Sequence, residues 1–176
     1  MHPRFVFTVG GVLSGLGKGI TTASVGLLLK SAGYKVTCIK IDPYVSIDAG
    51  TMRPAEHGET FVTADGGEID QDLGHYERFL NQDLTRHNNI TTGKVFQAVI
   101  DAERHFQYAG RDAEMFPDVI NEIKAQIFRV IKNEDIVLVE IGGTTGDLEN
   151  QPFLHAAREL GKEHPAVYIL VTYLPF

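Results

Sequence analysis

Apolar positions along this chain fall into two alternating kinds of run. Residues 5–9, 35–41, 136–141 and 167–171 are short stretches rich in Val, Ile and Phe. Continuous apolar runs of this length predict parallel strands covered on both faces. Between them, apolar residues recur at helical spacing. Residues 21–31 carry Val25, Leu28 and Leu29 on one side, with Gly33 as the stop. Residues 89–104 place Val95, Val99 and Ile100 on one face. Residues 118–132 repeat Val119, Ile123, Ile127, Val130 and Ile131, with Asp118 as the expected N-cap. A shorter helix is predicted at 153–160. Strands alternating with helices predict an α/β chain: a mostly parallel sheet flanked by helices, of Rossmann type. The stretch 42–74 is rich in Gly, Asp, Glu and Pro and too long for an idle connection, so it is expected to be a functional loop.

Composition narrows the function classes. The 176 residues suit one domain of ordinary size, and 43% hydrophobic content can fill its core. A net charge of -7 argues against a broad nucleic-acid surface, although a nucleotide needs only a few local cations. The single cysteine, Cys38, excludes a disulfide framework within the chain and fits a reducing cytoplasm. No apolar run approaches the roughly 18 residues of a membrane span, and the N-terminus leads directly into a strand rather than a signal peptide. The expected partners are therefore small molecules, with neither nucleic acid nor membrane, in the cytoplasm. The chain stops just after an apolar run and Pro175, which predicts a domain incomplete at its C-terminal end.

The chemistry is densest at Gly10-Gly11-Val12-Leu13-Ser14-Gly15-Leu16-Gly17-Lys18-Gly19, between a predicted strand and a predicted helix. Strand, glycine-rich loop and helix is the arrangement that cradles a phosphate chain. Backbone N–H groups turn toward the anion, and the helix N-terminus adds partial positive charge. Lys18 would reach the outer phosphates. The standard pattern has a glycine where this chain has Val12, and Ser or Thr where it has Gly19; Thr21 and Thr22 could partly replace that hydroxyl.

A second signal is Val137-Leu138-Val139-Glu140-Ile141-Gly142-Gly143, an apolar strand ending in an acid and two glycines. An acid at the C-terminal edge of such a sheet binds Mg²⁺ directly or through water. Asp65, Asp70 and Asp72 crowd a third stretch; one of them could join Glu140, and spacing does not choose among them. Lys40 ends the second strand on the same edge and would add a second cation for polyphosphate. Asp147-Leu148-Glu149 could hydrogen-bond a ribose or base, or serve as an acidic helix start. His57, His75, His87, His105 and His155 show no ligand spacing and are expected to be structural or surface residues. There is no GxSxG elbow, and Cys38 inside a strand is a poor nucleophile.

Taken together, these segments resemble the N-terminal synthetase (amidoligase) domain of the CTP synthase family. The resemblance rests on the glycine loop at 10–19, Lys40-Ile41-Asp42-Pro43-Tyr44, Asp48-Ala49-Gly50-Thr51-Met52 and His57-Gly58-Glu59. It continues through Asp72-Leu73-Gly74-His75-Tyr76-Glu77-Arg78-Phe79-Leu80, Asn88-Asn89-Ile90-Thr91-Thr92-Gly93-Lys94 and Glu140-Ile141-Gly142-Gly143-Thr144. It implies one synthetase domain over 1–176 with a P-loop NTPase-like fold close to dethiobiotin synthetase. The implied reaction is phosphorylation of UTP O4 by ATP, then displacement of phosphate by ammonia to give CTP.

By the same resemblance Lys18 and Lys40 are catalytic, and Gly15, Leu16, Gly17, Lys18, Gly19, Ile20 and Asp72 bind ATP. Asp72 and Glu140 hold Mg²⁺. Ser14, Gly143, Asp147, Leu148 and Glu149 face UTP, or CTP as feedback inhibitor. Ammonia would come from a glutaminase domain that these residues do not include, and a homo-oligomer, dimer or tetramer, is expected. This chain departs from the family at Asp112-Ala113-Glu114-Met115-Phe116-Pro117-Asp118-Val119-Ile120. The usual reading there is Thr-Val-Gln-Val-Ile-Pro-His-Ile-Thr, a stretch that helps form subunit contacts and the pyrimidine site. Two alternatives follow: a related ATP-dependent ligase with another acceptor, or a non-catalytic nucleotide-binding assembly module.

Overall fold

Strand β1 (Arg4–Gly10) runs into helix α1 (Lys18–Ser31), which returns to strand β2 (Val36–Asp42). An antiparallel hairpin follows, β3 (Thr60–Val62) with β4 (Glu68–Asp70), then helix α2 (Asp72–Leu80) and the short strand β5 (Asn89–Thr91). Helices α3 (Thr92–Arg104) and α4 (Ile120–Val130) lead to β6 (Ile136–Ile141); α5 (Gln151–Glu163) leads to β7 (Ala166–Val171). The computed structural model describes residues 3–13, 15–53, 55 and 59–175. Five strands pair in the order β5–β2–β6–β1–β7, every pairing parallel, in a Rossmann-like α/β sheet.

Alternation along the strands decides what each face buries. Val6, Val36, Cys38, Ile136 and Leu138 pack beneath α1 and α2, against Ala23, Leu73, Tyr76 and Leu80. The residues between them, Phe5, Phe7, Ile39, Val137 and Val139, pack against Val95, Ile123 and Phe153 of α3, α4 and α5. Lys40, Glu140 and Thr8 lie two residues beyond Cys38, Leu138 and Val6, so they continue the α1/α2 face toward the C-terminal edge. Register sets them side by side: Asn89 beside Lys40, Lys40 beside Glu140, and Glu140 beside Thr8. All four are buried. One rung of a hydrophobic sheet is therefore polar, and it lies where the glycine loop and α2 begin.

Several local expectations change. The helix expected from residue 89 starts at Thr92, because residues 89–91 are drawn into the sheet as β5 beside β2. The Thr91 hydroxyl then caps α3 by accepting from Lys94 N at 3.1 Å. On α1, Val25 and Leu29 pack half-buried against the core as expected, but Leu28 does not, and the most deeply buried residues are others. Thr22, Ala23 and Gly26 are buried there, and Leu28 is exposed. Small residues let α1 lie close to α2, with Gly26 against Leu80 and Cys38. The stretch 42–74 is not one loop, since it contains the β3–β4 hairpin and the start of α2. Nor is β7 covered on both faces: Val167, Tyr168 and Leu170 are all more than half exposed, as an edge strand permits.

Asp118 is not an N-cap. It lies within the kinked lead-in Met115–Val119 to α4, and its carboxylate reaches backward. Oδ2 accepts from Glu114 N at 2.9 Å and from Arg111 Nη1 at 2.6 Å; Arg111 Nη2 donates to Oδ1 at 2.5 Å. This fork closes residues 111–118 into a ring. The Arg111 bonds, with help from the Glu114 amide, lower the Asp118 carboxyl to about 2. An unfolded aspartate titrates near 3.9. The pair's stabilisation is therefore complete above pH ~4 and lost as pH falls toward 2. Asp118→Asn is expected to flatten stability between those pH values, measured by urea unfolding at stepped pH, and to lower it at pH 7.

Candidate active site

The glycine loop leaves β1 at Gly10 and enters α1 at Lys18, with Gly15 and Gly17 at positive φ (75° and 91°). It borders a cavity of about 420 Å³ that also takes in Lys40, Asp72, His75, Glu140 and Gly143. Residues 125 positions apart meet here: Lys18 Nζ donates to Gly143 O at 2.9 Å. The lysine is 7% exposed, and burial lowers its pKa despite nearby Glu140. Gly10 makes room for it, since a Cβ there would lie 2.9 Å from Lys18 Nζ and 2.5 Å from Gly143 O.

Lys40 is not the isolated edge cation that its position suggests. Its Nζ binds Asp72 Oδ2 directly, donates to Glu140 Oε1 at 3.2 Å, and lies 3.8 Å from Asp42 and 3.9 Å from Asp70. Burial pulls the ammonium down, but the four carboxylates outweigh it and hold its pKa well above the ordinary value. Burial also raises the Glu140 carboxyl, against the pull of Lys40. For Asp72, Lys40 and His75 overcome burial and lower its pKa.

Asp72 explains the missing hydroxyl of the loop. A Cβ on Gly19 would lie 2.5 Å from Asp72 Oδ1 and 3.0 Å from its Cγ. The carboxylate, carried in from α2, occupies the place where a Ser or Thr side chain would project. Thr22, one suggested substitute, is fully buried in α1, and its hydroxyl has no hydrogen-bond partner among the described residues.

The donor set suits Mg²⁺. Asp72 and Glu140 offer two hard carboxylate oxygens that already share one cationic partner, and Mg²⁺ takes one or two carboxylates together with phosphate oxygens and water. Among the described residues no group of three His, Cys, Asp or Glu forms a metal cage.

A family model described as CTP synthase N-terminus matches residues 4–176. The chain belongs to that family. The CTP synthase of Pyrococcus horikoshii is 56% identical over 176 residues, covering 98% of this chain and 33% of that protein. Its counterpart in Methanocaldococcus jannaschii is 55% identical over 177 residues, with the same coverage. That of Methanosarcina acetivorans is 55% identical over 174 residues. The chain thus spans about a third of the length of these curated relatives. Each of these relatives is named CTP synthase, and this chain matches one part of their length. No helix among the described residues is long and apolar enough to cross a membrane.

The remaining expected site residues distribute unevenly. Ile20 borders the cavity, whereas Leu16 does not. Asp147 is used by its own turn: its carboxylate accepts from Thr144 N at 2.6 Å, which lowers its pKa. Leu148 and Glu149 are exposed and lie outside the cavity. Ser14 and His57 lie outside the described residues.

Three contributors escaped the reading of the sequence. Tyr76 OH donates to Glu140 Oε2. His75 Nδ1 lies 3.6 Å from Asp72 Oδ1, so it belongs to the site rather than to the general surface. The Asn150 amide donates to Gly142 O at 2.7 Å and Thr144 O at 2.8 Å, clamping the turn that receives Lys18. His75 and Tyr76 stand three and four residues after Asp72 on one helix. That spacing puts all three on one face and was the available signal.

Two stability outcomes follow. Lys40→Met leaves buried carboxylates without their counter-charge and should cost about 3–5 kcal/mol in metal-free urea unfolding. Adding Glu140→Gln should recover part of the loss. Gly19→Ser, although it restores the standard loop residue, should destabilise by about 1–3 kcal/mol through overpacking against Asp72, read in the same assay.

Proposed function

We propose that this chain supplies the ATP- and Mg²⁺-binding part of an enzyme that aminates UTP to CTP. The observation that carries the reading is the meeting of Lys18, Lys40, Asp72 and Glu140 in one cavity beneath the glycine loop. Phosphoryl transfer needs positioning and charge neutralisation more than covalent chemistry from the protein. Gly15 to Ile20 would wrap the ATP phosphates, with Lys18 at the outer ones. Lys40, whose charge is secured by its carboxylates, would serve the phosphoryl group in transit. Mg²⁺, held by Asp72 and Glu140, would offset the charge of the phosphates. Tyr76 and His75 would orient those two ligands.

Gly143, Asp147, Leu148 and Glu149, with Ser14, would form this chain's share of the pyrimidine nucleotide site, open to UTP as substrate or CTP as inhibitor. Leu148 and Glu149, outside the cavity, would meet the nucleotide's far end. Ammonia would be delivered from a glutaminase domain. A dimer or tetramer in the cytoplasm completes the proposal.

One observation favours a second reading, a ligase of the same kind with another acceptor. The Arg111–Asp118 fork closes on itself the segment that departs from the family pattern, which leaves neither side chain free for a pyrimidine.

Thermal unfolding with ATP–Mg²⁺, UTP–Mg²⁺ and CTP–Mg²⁺, singly and paired, tests both. A ligand at 100 times its Kd stabilises by roughly 2.7 kcal/mol, which is expected for ATP and for UTP or CTP. Stabilisation by ATP alone would support the second reading. Lys18→Ala should abolish the ATP effect while lowering intrinsic stability by only about 1 kcal/mol, the worth of its single hydrogen bond to Gly143. An unchanged ATP shift in Lys18→Ala would overturn the phosphate-loop assignment. Glu140→Ala should remove the Mg²⁺ dependence.

A further inference from the structure

At the opposite edge of the sheet from β7, strand β5 borders a second cavity of about 270 Å³, distinct from the one beneath the glycine loop. It opens between the turn Arg86–Asn88, helix α3 and helix α4. Its walls carry Arg86, Lys94 and Arg129, with His87, Asn89, Gln97 and Gln126 as further polar groups and Asp101 as the one acid. Three cations against one anion stand out in a chain whose net charge is -7.

Lys94 is the distinctive member. Its ammonium is held by oxygens that carry no full charge: Asn89 O at 2.8 Å, Arg86 O at 3.3 Å and Asn89 Oδ1 at 3.5 Å. It forms no ion pair among the described residues. Burial lowers its pKa even though Asp48 and Asp42 lie near enough to raise it, in contrast with Lys40, whose four carboxylates more than offset the same cost. A half-buried cation that no carboxylate contacts directly is an expensive element to keep unless an anion completes it.

The two arginines are tied from behind. Arg86 Nε lies 3.3 Å from Asp65 Oδ2, and Arg129 Nη2 lies 3.8 Å from Glu122 Oε1, itself bonded to Gln126 at 2.9 Å. Neither Asp65 nor Glu122 lines the cavity.

We propose that this cavity is a binding site for a small phosphate-bearing anion, gripped by Lys94 together with the Arg86 and Arg129 guanidinium groups. Guanidinium forks match the oxygens of phosphate, and the lysine adds a compact point charge. The cavity is smaller than the pockets that enclose drug-sized ligands. It suits inorganic phosphate or a small phosphomonoester rather than a whole nucleotide. Asp101 would face the substituent away from the phosphate.

Inorganic phosphate and glycerol 3-phosphate are the probes, titrated into ¹⁵N-labelled protein and followed by amide chemical shifts. The Lys18→Ala background removes phosphate binding at the glycine loop. The expected result there is saturable shifts clustered at Asn89, Lys94, Gln97 and Gln126, weakening as ionic strength rises. Lys94→Met and Arg129→Gln should each weaken binding at least fivefold while the spectrum keeps its dispersion. Because Lys94 also bonds backbone carbonyls, Arg129→Gln decides the matter if Lys94→Met fails to fold. Tighter binding of the ester than of phosphate would mark a phosphomonoester site, and the reverse a phosphate-ion site. Shifts confined to residues 15–19 of the unmutated protein, or affinity unchanged in Arg129→Gln, would overturn the proposal.

Discussion

Lys40 is the constraint around which the site is organised. An ammonium buried in the rung of a parallel sheet costs several kcal/mol unless opposite charges surround it. Here they arrive from three directions: Glu140 from the neighbouring strand, Asp42 from the end of its own, and Asp70 and Asp72 from the hairpin and α2. Asp42 is held in turn by Asn89 Nδ2 at 2.8 Å, which ties in the edge strand. Satisfying one lysine thus draws together β2, β4, α2, β5 and β6. The same requirement concentrates carboxylates at the sheet edge beside the glycine loop.

The loop is adapted to that concentration. A phosphate loop with an ordinary Ser or Thr after its lysine would collide with Asp72, so Gly19 is the residue compatible with a carboxylate delivered by α2. Lys18, short of space as well, lies between a bare Gly10 and the carbonyl of Gly143. Departures from the standard motif are therefore consequences of what faces it. Tyr76, Asn150 and His75 then hold the facing groups in place. Site and hydrophobic core share a helix: α2 buries Leu73, Tyr76 and Leu80, and the Tyr76 ring carries its hydroxyl from the core to Glu140.

Much of this was legible in the chain. Four strands, three of them buried, the helices between them and the glycine loop follow from periodicity and glycine placement, because local sterics and amphipathicity act within a few residues. Lys18, Lys40, Glu140 and the cluster of acids at 65–72 were visible as chemistry. What stayed hidden depends on contacts between distant residues. Residues 89–91 read as helix until β2 is present to recruit them as a strand. Leu28 read as core until Ala23 and Gly26 brought α1 against α2 and turned Leu28 outward. Asp118 read as a cap until Arg111, seven residues back, claimed both its oxygens.

By itself, then, the sequence determined the α/β alternation, the glycine loop between β1 and α1, and the family to which the chain belongs. Each of these is encoded in short runs whose physics is local. Tertiary structure alone decided which acid meets Lys40, why Gly19 replaces a hydroxyl, and that Lys94 is bonded by neutral oxygens. Those outcomes turn on electrostatics and exclusion over a few ångströms between residues tens of positions apart, and only the folded chain sets such distances.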